Sequence, residues 1–574
     1  MKQLLSCMGK YKKQTILAPI MVIGEVLIDI LIPMLMSRII DVGVANRDLG
    51  YVTRVGLLMV GCALVALVFG ALSGRFAAVA GMGFAKNVRQ KLYYRIQDFS
   101  FANLDKFSTA SLVTRLTTDV SNVQMAYMMT IRMLVRSPIM LICAMAMTVK
   151  LNMRLALVFF VAVPVLGAVL YFIATRAHPR FQAMLKKYDG LNAQVEESLI
   201  AIRVVKAFVR HEYEEEKFSK EAASLRDAQK RAEKLVILNM PAMQLTMYAC
   251  IVAILWFGGK MIMVGSMTTG TLMSFVSYVT QILMALMMIS MVFVMLVLSR
   301  ASVQRISEVL SEVPSIDDSR ADPDAALADG SVEFRDVSFS YAGDPDNLTL
   351  SHIDLAIKSG ETIGIIGGTG SAKSTLVQLI PRLYDIDSGS LLVGGRDVRD
   401  YPLRKLRDGV AMVLQKNVLF SGTIADNLRW GDENATGQEL DDACRAAAAK
   451  DFIDNSPQGY DTDLGQGGVN VSGGQKQRLC IARALLKHPK IVILDDSTSA
   501  VDTATDAHIR TALRSELAGT TTIIIAQRIT SVMDADRIVV LDDGKISAVG
   551  THAELLQKSE IYREVYESQQ KGVA

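Results

Sequence analysis

Six stretches of this sequence are long and apolar enough to cross a bilayer, and no other feature narrows its fold as far. They run over approximately 14–40, 56–81, 127–149, 152–176, 236–263 and 271–298, each near or above the roughly 20 residues that hydrocarbon requires. Each is read as a spanning helix. The first follows a short basic segment carrying Lys2, Lys10, Lys12 and Lys13. It is longer than a signal-peptide core and no small-residue cleavage site follows it, so it is a retained span.

Six spans put both ends of the membrane region on one side. Lys86 to Lys106, Arg176 to Lys234 and Arg300 to Arg305 are basic, whereas the loops near Asn46, Asn152 and Gly265 are short and carry few cations. The basic side is cytoplasmic, which places the N-terminus and everything after the sixth span in the cytoplasm, with the chain multi-pass in the plasma membrane. About 45 residues separate spans two and three and about 60 separate four and five, with almost no Pro or Gly, so these helices are expected to run far into the cytoplasm. Near the turning points, 107–119 and 201–208 mix apolar and basic residues, as a docking surface or a solvated hairpin would.

Within the spans Glu25, Asp29, Arg132 and Arg136 stand out, because an ionisable group in hydrocarbon costs several kcal/mol unless it faces a cavity or a partner. They form either a polar wall on a substrate path or an internal ion pair. Residues 1–300 hold 28 of the 30 Met; Met284, Met287, Met288, Met291 and Met295 are either an adaptable pocket lining or lipid-facing filler. The net charge of +3 over 574 residues does not make a polyanion binder, so no nucleic-acid partner is expected. Cys7, Cys62, Cys143, Cys250, Cys444 and Cys480 lack metal-ligand spacing and are read as reduced packing residues.

After Arg300 the pattern dissolves into an acidic run, and strand-like segments beginning at Val332 open a soluble domain. The expected fold is an all-α six-helix transmembrane domain over 1–312, a linker over 313–330, and an α/β P-loop nucleotide-binding domain over 331–574. In that domain the β-branched run Ile363 to Ile366 leads into Gly367-Gly368-Thr369-Gly370-Ser371-Ala372-Lys373-Ser374-Thr375, which opens a helical pattern. Consecutive backbone N–H groups in such a loop point at phosphate oxygens, and the helix N-terminus adds a field that favours an anion. Lys373 is positioned for the β and γ phosphates and Ser374 for Mg²⁺. Ala372 stands where the G-x-x-x-x-G-K-[ST] pattern has its second Gly.

Downstream come Ala411-Met-Val-Leu-Gln415, Val471-Ser472-Gly473-Gly474-Gln475, and Ile491-Val-Ile-Leu-Asp495-Asp496 followed by Ser-Thr-Ser-Ala-Val-Asp. In this order they resemble the phosphate loop, Q-loop, signature, Walker B and D-loop of the ATP-binding cassette (ABC) family, and Ile524-Ile-Ala-Gln527-Arg resembles its switch region. The six-span half resembles the exporter-type membrane domain, so the likeness covers nearly the full chain. It implies ATP and Mg²⁺ as cofactors, with Tyr341 stacking on adenine, and Asp495, Gln415 and Ser374 at the metal. By the same likeness Ser472 to Gln475 serve a nucleotide on an opposing domain, so the working unit needs two cassettes.

Two departures from the family pattern point further. Its catalytic Glu is here Asp496, one methylene short of the attacking water. Its switch His is here Gln527, a neutral amide without imidazole proton chemistry. With Ala372 these imply a site that binds ATP and splits it poorly, beside a signature intact apart from Val471 for Leu. Gln466 also replaces a Glu that exporters carry in Thr462 to Gly468, which bears on a contact with the docking helices. The combination resembles the degenerate-site half of a heterodimeric bacterial multidrug exporter for small hydrophobic or amphipathic compounds, with a homologous half-transporter as partner. A homodimer of two slow sites, an ATP-regulated channel or regulator, a chelate importer and a lipid flippase are the alternatives.

Overall fold

In lipid a chain must hydrogen-bond its own backbone, and the N-terminal region does so as helix throughout. The structure, a computed structural model, describes residues 4, 6–496, 503–516 and 519–571. In chain order its first helices are α1 (Lys12–Arg38), α2 (Leu49–Gln97), α3 (Phe101–Lys106), α4 (Thr109–Thr114), α5 (Val120–Leu151), α6 (Met153–Ile200), α7 (Ile202–Ala207), α8 (His211–Val236), α9 (Asn239–Met263) and α10 (Thr269–Ser311). Among the described residues six helical stretches have the length and apolarity to cross a membrane. At 1.5 Å per residue α2 measures roughly 73 Å, far more than the roughly 30 Å of hydrocarbon.

The chain divides into two units, Met1–Gln97 with Thr109–Glu312, and Asp98–Ser108 with Val313–Ala574. The first unit packs α1, α5, α6, α9 and α10 around Val22, Ile30, Phe159, Ile254, Phe275 and Ile282. Pro33 interrupts the α1 backbone ladder, because it has no N–H and its ring crowds the preceding turn. Around it two buried hydroxyls of α10 bond the α1 backbone: Tyr278 donates to the Ile30 carbonyl at 2.8 Å and Ser274 to the Pro33 carbonyl at 2.7 Å. One turn further, at a π-helical turn over Ile39–Val44, Asp41 accepts from the Gly270 N–H at 2.7 Å and from the Thr268 hydroxyl at 2.7 Å. Gly270 has to lack a side chain there, since a Cβ would sit 2.4 Å from the Ser37 carbonyl.

A second polar junction joins α5 to the C-terminal part of α10. Asp119, whose side chain is fully buried, accepts from Arg305 Nε at 2.7 Å and from the Ser302 hydroxyl at 2.8 Å. Arg115 donates to the Arg305 carbonyl at 2.7 Å and pairs with Glu308. A buried carboxylate with all its partners on one neighbouring helix fixes the register of the two.

The second unit carries two sheets. One has the order β2 (Leu350–Ile357), β1 (Val332–Phe339), β4 (Ser388–Val393), β5 (Arg396–Asp397) and is antiparallel. The other has the order β10 (Lys545–Gly550), β9 (Arg537–Asp542), β3 (Thr362–Gly367), β8 (Thr521–Ile525), β7 (Ile491–Asp495), β6 (Val410–Val413). From β9 to β6 the neighbours are parallel. β7 and β8 are buried along their whole length, as near-continuous apolar runs predict.

One expectation is revised here. The acidic run 313–330 lies on the cassette: Ile316, Ala325 and Leu327 are buried, Asp322 pairs with Arg396 at 2.8 Å, and Asp318 accepts from the Leu403 N–H. Of the two stretches that read as docking surface or solvated hairpin, 107–119 lies mostly in the first unit, and the preceding helix α3 belongs to the second. The other stretch forms α7, with Val204 and Phe208 exposed. All six cysteines carry free thiols, four of them buried.

Replacing Asp119 with Ala is expected to lower the unfolding temperature of the purified protein, equivalent to about 2 kcal/mol, because Ser302 and Arg305 lose a shared acceptor. Asp119→Asn, which keeps an acceptor, is expected to lower it less; a thermal scan in detergent measures both.

Candidate nucleotide site

Four neighbouring parallel strands end level with one another, and every candidate catalytic side chain follows one of them. The phosphate loop follows β3, Gln527 follows β8, Asp496 follows β7 and Gln415 follows β6. Ligands of open α/β sheets bind outside these carboxyl ends.

The loop runs straight into helix α11 (Lys373–Gln378). Lys373 Nζ folds back over it, donating to the carbonyls of Gly367 at 3.0 Å and Gly368 at 2.7 Å and to the Ser371 hydroxyl at 3.3 Å. Ser374 donates to Asp495 Oδ1 at 2.9 Å. Ala372 adopts φ 68°, ψ 24°, the left-handed region, where a Cβ costs about 1 kcal/mol that Gly avoids. The effect of the missing Gly is therefore backbone strain.

Asp496 is a junction of neutral amides. Gln527 Nε2 donates to its Oδ2 at 3.0 Å, and the side chain of Gln415 hydrogen-bonds the same carboxylate. The sequence places these three residues more than 30 positions apart, and the sheet brings them together. Burial pushes the Asp495 and Asp496 carboxyls up, against the lowering effect of Ser374 on the first and of Gln415 and Lys373 on the second. Burial also pushes Lys373 down, with the two carboxylates opposing it. A buried set of two carboxylates and one ammonium favours an added cation at the carboxylates and an added anion at the lysine and the loop amides. The oxygens of Ser374, Asp495 and Gln415 make a hard donor set that suits Mg²⁺, so the residues fit a magnesium nucleotide.

At the outer side of α11 the Tyr341 hydroxyl lies 3.0 Å from that of Thr375, and its ring is 51% exposed. Phe339 and Tyr384 meet it edge-on at 5.0 and 5.1 Å, leaving a face open to a flat partner. Tyr384 carried no motif and escaped the sequence reading; an aromatic two residues beyond Arg382, in an otherwise ordinary turn, gave no signal.

Ser472 caps helix α12 (Gly473–Leu485), its hydroxyl accepting from the Gln475 N–H while the side-chain Oε1 of Gln475 accepts from the Ser472 N–H at 2.8 Å. Gly473, Gly474 and Gln475 form its first turn. This turn faces solvent rather than the chain's own phosphate loop. Gln466 is exposed in a short 3₁₀ turn. The D-loop stretch 497–502 lies outside the described residues.

Residues 15–302 match the family described as "ABC transporter transmembrane region" and residues 350–499 the one described as "ABC transporter". The chain belongs to the ABC transporter family. It is 38% identical to the ABC transporter ATP-binding protein YfiB of Bacillus subtilis (strain 168), over 99% of this chain and 98% of the relative. It is 34% identical to the ATP-dependent lipid A-core flippase of Desulfotalea psychrophila (strain LSv54 / DSM 12343), over 85% of each. Among solved structures it is similar to a bacterial Atm1-family ABC exporter with ATP bound, with a TM-score of 0.84 and 25% identity over 97% of this chain and 99% of that one. The ABC chain is thus an exporter-type half-transporter, which sits in the membrane, acts in a dimer and couples ATP, used with Mg²⁺, to transport.

Ala372→Gly is expected to raise the unfolding temperature of this ABC protein, equivalent to about 1 kcal/mol, by removing the left-handed alanine. Nucleotide affinity is expected to keep its order of magnitude, since the substitution leaves Lys373, Ser374 and the loop N–H groups in place. Thermal unfolding and a nucleotide titration on one preparation check both.

Proposed function

We propose that this chain is the degenerate-site half of a heterodimeric exporter: its own nucleotide site holds MgATP and splits it slowly, while its signature turn completes a competent site on a homologous partner. The observation that carries the reading is the pairing of Asp496 with two neutral amides, Gln527 and Gln415. A general base needs its carboxylate directed at a water, and here the shorter acid is held by groups that neither take nor return a proton.

In this proposal Gly367 to Ser371 and Ala372 wrap the phosphates with backbone N–H groups, Lys373 turns from its loop carbonyls to the β and γ oxygens, and Tyr341 stacks on the base. Ser374, Gln415 and Asp495 hold Mg²⁺, which supplies charge neutralisation at the phosphates when bound. Ser472, Gly473, Gly474 and Gln475 present the first turn of α12 to the nucleotide of the opposing cassette.

In the membrane unit Arg136 pairs with both Glu25 and Asp29, the latter at 2.9 Å. It also lines a cavity of about 350 Å³ with Met133, Met140, Gln281, Met284 and Met288. A thioether-rich wall with one amide and one guanidinium supports a small amphipathic substrate. The basic loops support cytoplasmic termini in the plasma membrane. A second reading, a lipid flippase on the same scaffold, is favoured by the flippase relative.

Installing Asp496→Glu together with Gln527→His is expected to raise the ATPase rate of the complex purified from its native source by about twofold, since the partner's competent site already turns over and the restored base and imidazole add a second such site. An unchanged rate counts against the degenerate site. Brisk ATP turnover and transport by this chain alone in proteoliposomes counts against the heterodimer.

A further inference from the structure

Helix α3 is held in the second unit from both ends. At its start Ser100 and Asn103 form a reciprocal cap, and the same Asn103 bonds the backbone that opens the cassette segment. Its Nδ2 donates to the Val313 carbonyl at 3.0 Å and its Oδ1 accepts from the Ser315 N–H at 2.9 Å. At its other end Asp105 Oδ2 accepts from the Tyr384 hydroxyl at 2.7 Å, and back in its first turn Phe101 meets the Tyr384 ring edge-on at 5.8 Å.

Tyr384 is 92% buried and faces both ways. One side of its ring touches α3, and the other meets Tyr341 at 5.1 Å, nearly perpendicular. Tyr341 in turn reaches Thr375 on α11. The chain of contacts Thr375, Tyr341, Tyr384, Asp105 thus runs from the phosphate-loop helix to α3 through two aromatic rings and two hydroxyl bonds. Burial and the adjacent Asp105 both push the Tyr384 phenol up, so it remains a donor throughout the physiological range.

We propose that Tyr384 is a positioning residue that ties the base-stacking ring of Tyr341 to helix α3, so that filling the base site orders α3. A flat base on the open face of Tyr341 restricts that ring. The edge-on contact restricts Tyr384, and the hydroxyl bond transfers the restriction to Asp105. A triphosphate without a base fills the loop and leaves this path unused. The proposal rests on the reading of Tyr341 as the base-stacking residue.

The test is amide hydrogen exchange of the 98–108 segment in the full-length protein in lipid nanodiscs, with MgATP, with magnesium tripolyphosphate, or with neither. MgATP is expected to slow exchange in this segment by about threefold more than tripolyphosphate does. Tyr384→Phe keeps the ring and removes the donor: the base-specific slowing is expected to vanish while ATP affinity holds. Asp105→Ala should do the same, Asp105→Asn, whose amide oxygen still accepts, should restore it, and the double variant Tyr384→Phe with Asp105→Ala should be no worse than either single one. Full ATP-specific slowing in Tyr384→Phe, or equal slowing by tripolyphosphate, overturns the relay. Tyr341→Ala separates the two readings. Wild-type ATP affinity in that variant overturns the base-stacking role and the relay with it, whereas weakened affinity alongside an unaltered Tyr384→Phe removes the relay alone.

Discussion

The parallel pairing of β3, β8, β7 and β6 is the constraint on which the nucleotide site depends. Parallel strands with both faces covered are largely apolar, and Ile491 to Leu494 and Ile523 to Ile525 are buried, while the buried Thr521 hydroxyl at the start of β8 donates to the Gly330 carbonyl at 2.6 Å. Charged groups collect where the strands stop. Asp495 is the last residue of β7 and is still buried, so its carboxylate depends on the Ser374 hydroxyl for compensation. The loop lysine, the carboxylates and the amides are thereby forced into one small volume without any of them being adjacent in sequence.

Much of this was legible beforehand. The six apolar runs set the helices because lipid offers the backbone no alternative partner, and the Gly-rich turn between a β-branched run and a helical pattern located the loop. Asp496 and Gln527 stood out as departures from a family pattern. Their direct hydrogen bond did not, because strand order is a long-range property that period-2 patterning does not encode. The same limit hid Tyr384 and Asp105, nearly the length of the membrane region apart, whose contact comes from α3 folding with the second unit.

Local chemistry decides two further placements. The acidic run after the last span reads as a solvated linker by composition, yet its apolar members Ile316 and Leu327 are enough to seat it, with Asp318 and Asp322 finding donors at the surface they cover. The signature helix begins at Gly473 because a serine cap with a reciprocal glutamine stabilises a first turn containing two glycines that propensity alone would exclude.

The junction at Asp41 has a further consequence. One carboxylate there fastens the end of α1 to the beginning of α10, at a spot so tight that a methyl group on residue 270 would not fit. Parting the first and last spanning helices of this half at that end would break both bonds to Asp41 at once and strand its carboxylate, so any opening there carries that cost.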